Sequence, residues 1–231
     1  MSYVIPAVPV VSVPVIGRSE SFPVRRIYCV GRNYVEHAQE MGFTGREPPF
    51  FFIKPADNAL VVPEGETGSL PYPTLTRDLH HEIELVAAIG VGGRDIAAAD
   101  AKKHIYGYAV GLDMTRRDLQ GEQKKLGRPW EIGKTFEQAA PIGPIVPAAQ
   151  AGDVEKADIW LQVNGQDRQR SNVSKLIWNI GEIIEHLSRA WALAPGDLIY
   201  TGTPAGVAAV GKGDTLVGGV TGLPELRVRV A

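Results

Sequence analysis

Two glutamates one residue apart, Glu82 and Glu84, sit in the stretch Leu79-His80-His81-Glu82-Ile83-Glu84-Leu85, which runs on into the apolar residues Val86 to Ile89. Read as a strand, with side chains alternating between faces, it points His80, Glu82 and Glu84 one way and His81, Ile83 and Leu85 the other. Two ionised carboxylates side by side in a buried wall repel each other, and an unpaired buried charge is costly. A bound divalent cation resolves that conflict. A half-exposed strand whose polar face carries His, Glu and Glu is the plainer reading of the same pattern. Asp113 closes a second apolar run, Tyr106 to Leu112, where an acid can face the same cavity as the glutamates; alone, it also suits a helix N-cap. Three oxygen ligands, without thiolate or a histidine pair at zinc spacing, favour a hard cation such as Mg2+ or Mn2+ with water completing the octahedron. His80 and His81 face opposite ways and cannot easily share one metal.

A second group of residues could move protons or hold an anion. His37 and Glu40, at i and i+3 of a helical stretch from Tyr34 to Met41, touch across one turn, so the carboxylate can fix the imidazole tautomer and raise its basicity. The same pair on a surface helix contributes a few tenths of a kcal/mol and nothing more. Lys134 follows the apolar stretch Trp130-Glu131-Ile132-Gly133, where a partly desolvated ammonium could hold an anionic substrate, although lysines commonly reach for the surface. Thr201-Gly202-Thr203-Pro204-Ala205-Gly206 is a tight turn after a strand, with hydroxyls and amides available to a carboxylate. Cys29 is the one cysteine; it reads as a packed core thiol and agrees with a reducing compartment, the cytoplasm. Gly206 to Lys212 fails the phosphate-loop pattern because Gly213 stands where Ser or Thr must follow, and Gly90 to Asp95 fails the dinucleotide fingerprint at its last glycine.

The elements that must position these groups are mostly strands. Arg25 to Val30 reads as a strand turned by Gly31-Arg32-Asn33, with Asn33 as a helix N-cap; Phe50 to Ile53 reads as a buried strand ended by Lys54-Pro55. A short helical piece from Ile96 to Lys103 precedes the Tyr106 to Leu112 strand, and Thr115 to Leu126 reads as helix. Asn164-Gly165 between Ile159 to Val163 and Gln166 to Gln169 is a strong hairpin signal. Ile180, Ile183, Ile184, Leu187 and Trp191 form a helical core stripe, and strands follow from Leu198 to Thr201 and from Leu226 to Val230. Across 231 residues, 44% apolar and 22% charged with a net charge of -2, one domain with one substantial core is expected, and a basic field for nucleic acid is excluded. Met1 to Gly17 is apolar, but Pro6, Pro9 and Pro14 interrupt it, so residues 1–24 are expected as an extended arm, rather than a membrane helix, ahead of a single domain over residues 25–231.

Taken together, the residues resemble the fumarylacetoacetate hydrolase family. The motifs that carry the likeness are Val30-Gly31-Arg32-Asn33-Tyr34, His37 with Glu40, His80-His81-Glu82-Ile83-Glu84-Leu85, Gly111-Leu112-Asp113-Met114-Thr115, Gly133-Lys134 and Thr201-Gly202-Thr203-Pro204, in the family's order. The small, single-domain acylpyruvate hydrolases are the nearest branch, and Arg116 to Gln120 with Gly127 to Trp130 is similar to the fumarylpyruvate hydrolases. The resemblance implies an α+β, strand-dominated mixed β-roll with a few short helices and a homodimer. It also implies Glu82, Glu84 and Asp113 as ligands of Mg2+ or Mn2+, His37 and Glu40 as the water-activating pair, Lys134 as a catalytic cation, and Arg32, Gln120 and Thr203 as substrate contacts. Larger two-domain relatives carry a further aspartate where this chain has Val30, so three protein ligands are expected. The activity implied is hydrolysis of an acylpyruvate, with oxaloacetate decarboxylation, isomerisation or hydration of related dienoates, and a non-catalytic metal-binding dimeric module as the alternatives.

Overall fold

The stretch from Leu79 to Leu85 is not one strand. Leu79–His80 pairs with Thr115–Arg116 on one side and Ala209–Val210 on the other. The chain then leaves the ladder at His81 and Glu82, and Ile83–Ile89 resumes as a fully buried strand of an eight-stranded mixed sheet. The alternation read from sequence nevertheless survives the break, because Glu82 and Glu84 still reach one pocket while His81 is buried away from it. The structure, a computed structural model, describes residues 2–35 and 46–231. His37, Glu40 and most of the helix expected from Tyr34 to Met41 lie outside the described residues.

The large sheet runs Phe50–Lys54, Arg26–Gly31, Asp197–Tyr200, Ile83–Ile89, Ile105–Leu112, Ala140–Ile142, Ala59–Val61, with Val146–Pro147 paired to Ile105–Leu112. Its central pair is antiparallel, with Glu84 opposite Gly111, and the ladder closes where the Asp113 amide donates to the Glu82 carbonyl at 2.9 Å. That register brings Asp113, on the face of Gly111, beside the two glutamates. A five-stranded sheet, Gln166–Asn172, Asp158–Val163, Thr215–Val220, Leu226–Val230 and Gly68–Leu70, packs against it, and its edge hairpin turns through Asn164 and Gly165 at φ 53° and 76°. Those positive angles are what an Asn-Gly turn between twisted strands needs. The fold is thus strand-dominated and α+β, as expected.

Two apolar clusters hold the sheets. Ile83, Leu85, Ala87 and Ile89 face the larger one, together with Leu161, Leu216 and the stripe Ile180, Ile183, Ile184, Leu187 of the helix Ile180–Ala190. Asn179 caps that helix reciprocally with Glu182, satisfying two terminal amides. The opposite face of the strand sends Val86 and Ala88 into a second cluster with Ile27, Cys29, Leu198 and Tyr200. Ahead of residue 25, Ser12–Pro14 and Ser21–Pro23 pair as an antiparallel ribbon that places Val13, Val15, Phe22 and Val24 in this second cluster, and residues 3–10 lie exposed. Helix is also shorter than expected after Asp113, since Thr115–Arg116 is strand and the helix runs Arg117–Lys125. No helix among the described residues is long and apolar enough to cross a membrane.

Candidate metal centre and substrate pocket

Glu82, Glu84 and Asp113 are all buried, and each offers a carboxylate oxygen within 4.8 Å of the others. Three carboxylates this close, out of water, require positive charge. The protein supplies three cations around them. Lys134, the last residue of the short helix Glu131–Lys134, spends its ammonium on Glu82 Oε2 at 2.9 Å, Asp113 Oδ2 at 2.6 Å and the Thr115 hydroxyl at 2.7 Å. Gly133 lets that helix lie against the helix Arg117–Lys125, because a Cβ there would stand 2.8 Å from the Gln120 backbone. Arg117 donates to Glu82 Oε1 through Nη2 and to Gln120 Oε1 at 2.6 Å through Nη1. Lys54, with no exposed surface, lies 2.8 Å from Asp113 Oδ1.

The electrostatics differ among the three acids. Burial pushes the Glu84 carboxyl well above its ordinary value, and neighbouring Asp113 and Glu82 push it further, against a single hydrogen bond from the Gly202 amide at 2.7 Å. Gly202 sits at φ +104°, where a Cβ would come within 2.6 Å of the Asn33 Cβ, so the turn Thr201 to Pro204 places its amide on Glu84 only with glycine there. Burial alone would lower the Lys134 ammonium, but Asp113 and Glu82 hold it above its usual value. Asp113 Oδ1 is buried and accepts no hydrogen bond among the described residues, since Lys54 directs its ammonium to the Met114 and Ala139 carbonyls at 3.1 and 2.9 Å. A buried carboxylate oxygen that has the Lys54 charge beside it but accepts no hydrogen bond, next to two more carboxylates, fits a hard divalent cation.

An open pocket lies over this cluster. Its buried wall includes Val30, Glu82, Glu84, Asp113, Gln120, Lys134 and Thr203, and the more exposed Arg32, Phe52, Arg117 and Trp130 complete its lining. Every described site residue expected from sequence therefore meets at one place. Arg32 holds a left-handed backbone at φ 57°, with its guanidinium 5.3 Å from the Phe50 ring and 5.7 Å from the Trp130 ring, which pack edge to face at 5.2 Å. Thr203 donates its hydroxyl to the Ile83 carbonyl at 2.8 Å. Cys29 is buried, and burial, with Asp113 beside it, raises its thiol well above the usual range, which leaves no thiolate nucleophile.

Asn33 is expected as the N-cap of a helix most of which lies outside the described residues; its side chain donates to the Trp178 and Thr201 carbonyls at 2.9 and 2.8 Å and accepts from the Trp178 amide at 2.8 Å. The two histidines separate as expected. His80 lies 2.9 Å from Asp78 and accepts from Arg117 at 3.3 Å; His81 lies 2.9 Å from Gln169. Lys54, Arg117 and Thr115 went unrecognised as site residues. Lys54 closes the aromatic run Phe50 to Ile53 much as Asp113 closes Tyr106 to Leu112, and a charge ending a buried strand is the signal that could have found it.

The model of the fumarylacetoacetate (FAA) hydrolase C-terminal family matches residues 26–231. The chain is 55% identical to a fumarylpyruvate hydrolase from Pseudomonas aeruginosa whose crystal structure is in complex with Mn2+ and pyruvate, with a TM-score of 0.97 over 100% of this chain and 99% of that one. It is 49% identical over 184 residues to a fumarylpyruvate hydrolase of Ralstonia sp, covering 80% of this chain and 93% of the relative. It is also 40% identical over 206 residues to a mitochondrial oxaloacetate tautomerase of Rattus norvegicus, covering 89% of this chain and 91% of that protein.

Proposed function

The chain belongs to the fumarylacetoacetate hydrolase family, and from that premise we propose that it is a metal-dependent hydrolase cleaving the carbon–carbon bond of an acylpyruvate, with 3-fumarylpyruvate giving fumarate and pyruvate as its leading reaction. The observation that carries this reading is the buried trio Glu82, Glu84 and Asp113 at the floor of a pocket rimmed by cations. Mg2+ or Mn2+ would be held by those three side chains and, when bound, would supply Lewis-acid stabilisation of the negative charge that develops on the departing pyruvate half. The complex of the Pseudomonas relative with Mn2+ and pyruvate supports both the cation and the product half.

Charge matching supports a dianionic substrate. Lys54, Lys134 and Arg117 already balance the three carboxylates, so a divalent cation leaves two positive charges over. An acylpyruvate whose acyl group carries its own carboxylate brings two negative charges. Arg32, stacked on Phe50 and Trp130, is placed to receive the far carboxylate, and Thr203, which must release the Ile83 carbonyl before its hydroxyl can donate, borders the near one. Lys134 can donate to the oxyanion formed at the attacked carbonyl by releasing one of its three present acceptors, with Gln120 as the second donor. His37, oriented by Glu40, takes the proton from the attacking water; these two roles rest on the resemblance, since both residues lie outside the described ones. A homodimer in the cytoplasm completes the proposal.

The likeness to an oxaloacetate tautomerase favours a second reading, proton transfer on oxaloacetate without bond cleavage. Incubation with Mn2+ and a panel of acylpyruvates and oxaloacetate, following diketone absorbance together with pyruvate and the released acid, separates the two. Equal amounts of pyruvate and fumarate from fumarylpyruvate are expected. Rapid interconversion of oxaloacetate tautomers with no acylpyruvate cleaved would overturn the hydrolase.

A further inference from the structure

Gln169 belongs to none of the motifs that define the site, and it does not line the pocket. It stands on the strand Gln166–Asn172 of the five-stranded sheet, with 1% of its surface exposed. Its amide nevertheless uses all four of its hydrogen-bonding positions on the two stretches that build the metal centre. Oε1 accepts from the Ile83 amide at 3.1 Å and lies 2.9 Å from His81 Nδ1; Nε2 donates to the Thr203 hydroxyl and the Pro204 carbonyl, both at 2.8 Å. The orientation follows from chemistry, because the Ile83 N–H can only donate and the Pro204 carbonyl can only accept. His81 Nδ1 therefore carries its proton and donates.

A closed ring results. Gln169 donates to Thr203, Thr203 donates to the Ile83 carbonyl, and the Ile83 amide donates back to Gln169. Ile83 lies between Glu82 and Glu84, at the point where the ladder is interrupted at His81 and Glu82. Thr203 follows Gly202, whose amide holds Glu84. The side chain of Gln169 thus stands in for the strand partner missing at the break, and one amide couples the spacing of two carboxylates to the turn that borders the pocket.

We propose that Gln169 is a positioning residue of the metal centre, setting the geometry of Glu82 and Glu84 through Ile83 and His81, and that of the substrate-facing turn through Thr203 and Pro204. The proposal rests on the reading that Glu82, Glu84 and Asp113 bind a divalent cation. Its rival is a buried amide that merely supports the fold.

The two are separated by measuring Mn2+ affinity from the paramagnetic resonance signal of free Mn2+, KM for an acylpyruvate, and metal-free thermal unfolding, on the unmodified protein and three variants. Ser188→Ala is the control; it removes a buried hydroxyl that accepts from the Ile96 amide at 2.9 Å, far from the carboxylates, and should lower the melting temperature while leaving Mn2+ affinity and KM unchanged. Gln169→Met removes all four hydrogen bonds at similar volume and should weaken Mn2+ binding by about 10- to 100-fold, as lost support of metal ligands does elsewhere. Gln169→Glu still accepts from Ile83 and His81 but loses at least one of the two donations to Thr203 and Pro204, so it should recover much of the Mn2+ affinity while KM, raised in Gln169→Met, stays raised. Gln169→Met with unchanged Mn2+ affinity and only a lower melting temperature would overturn the proposal, as would failure of both Gln169 variants to fold. If the unmodified protein takes up no Mn2+, the metal-site reading fails instead, before any variant is compared.

Discussion

The two faces of the strand Ile83–Ile89, with Glu82 just ahead of it, are equally dry and need different things. Leu85 has no exposed surface and Glu84 has 2%. Leu85, with Ile83, Ala87 and Ile89, is satisfied by any neighbours that fill the volume around it. Glu84 needs a directed partner of opposite charge, and without a divalent cation it has one backbone amide, the more distant charge of Lys134 and two acidic neighbours. Burial alone does not tell a structural face from a chemical one; the unmet electrostatic demand does. On the apolar face a lost atom removes stability, whereas on the acidic face a lost charge removes chemistry and need not weaken the fold.

Substitutions can break that contrast. Glu84→Gln should remove several kcal/mol of transition-state stabilisation, roughly a thousandfold in turnover with saturating Mn2+, while the metal-free melting temperature holds, because burial already disfavours the ionised carboxyl. A melting temperature that falls as it does for a core cavity would erase the distinction between the faces. His37→Ala should depress acylpyruvate hydrolysis by ~10²- to 10⁴-fold, with a smaller effect on any oxaloacetate turnover, which needs no activated water. Equal losses on both substrates in steady-state assays would remove the water-activating role. Leu85→Ala should cost about 2–5 kcal/mol in urea unfolding and leave the Mn2+ affinity of the folded protein intact. The smallest effect is expected farthest from the site: Gly165→Ala, at φ 76° in the edge hairpin, should cost about 1 kcal/mol by the same measurement and leave KM and kcat unmoved.

What sequence could show follows the same division. Local periodicity made the core face and the acidic face of Leu79 to Ile89 visible together, and a charge at the end of an apolar run marked Asp113. The Asn164-Gly165 turn and the helical stripe from Ile180 to Leu187 were legible because each depends on residues close in the chain. The break at His81 and Glu82 was not, since it depends on Thr115–Arg116 and Ala209–Val210 drawing Leu79–His80 into a separate three-stranded sheet. Lys54 read as the end of a strand, though its ammonium crosses to carbonyls 60 and 85 residues away and to Asp113. The pairing of Ser12–Pro14 with Ser21–Pro23 was hidden by prolines that edge positions tolerate. Partners supplied by distant strands leave no trace in the spacing of nearby residues.

The direct test of the metal centre follows from the raised pKa of Glu84. A carboxyl whose folded pKa lies above its unfolded value favours the fold below the ordinary carboxylate range, and that contribution is lost as pH rises through the folded pKa. Cation binding needs the ionised form, so uptake must expel the proton and must tighten with pH. Mn2+ should therefore be titrated into metal-free protein at a mildly acidic and a mildly alkaline pH, recording free Mn2+ by its resonance signal and released protons with an indicator. One Mn2+ per chain is expected, bound more tightly at the higher pH, with proton release that is absent in Glu84→Gln. No uptake up to millimolar Mn2+, or uptake by Glu84→Gln that matches the unmodified protein in affinity and proton release, would contradict the assignment.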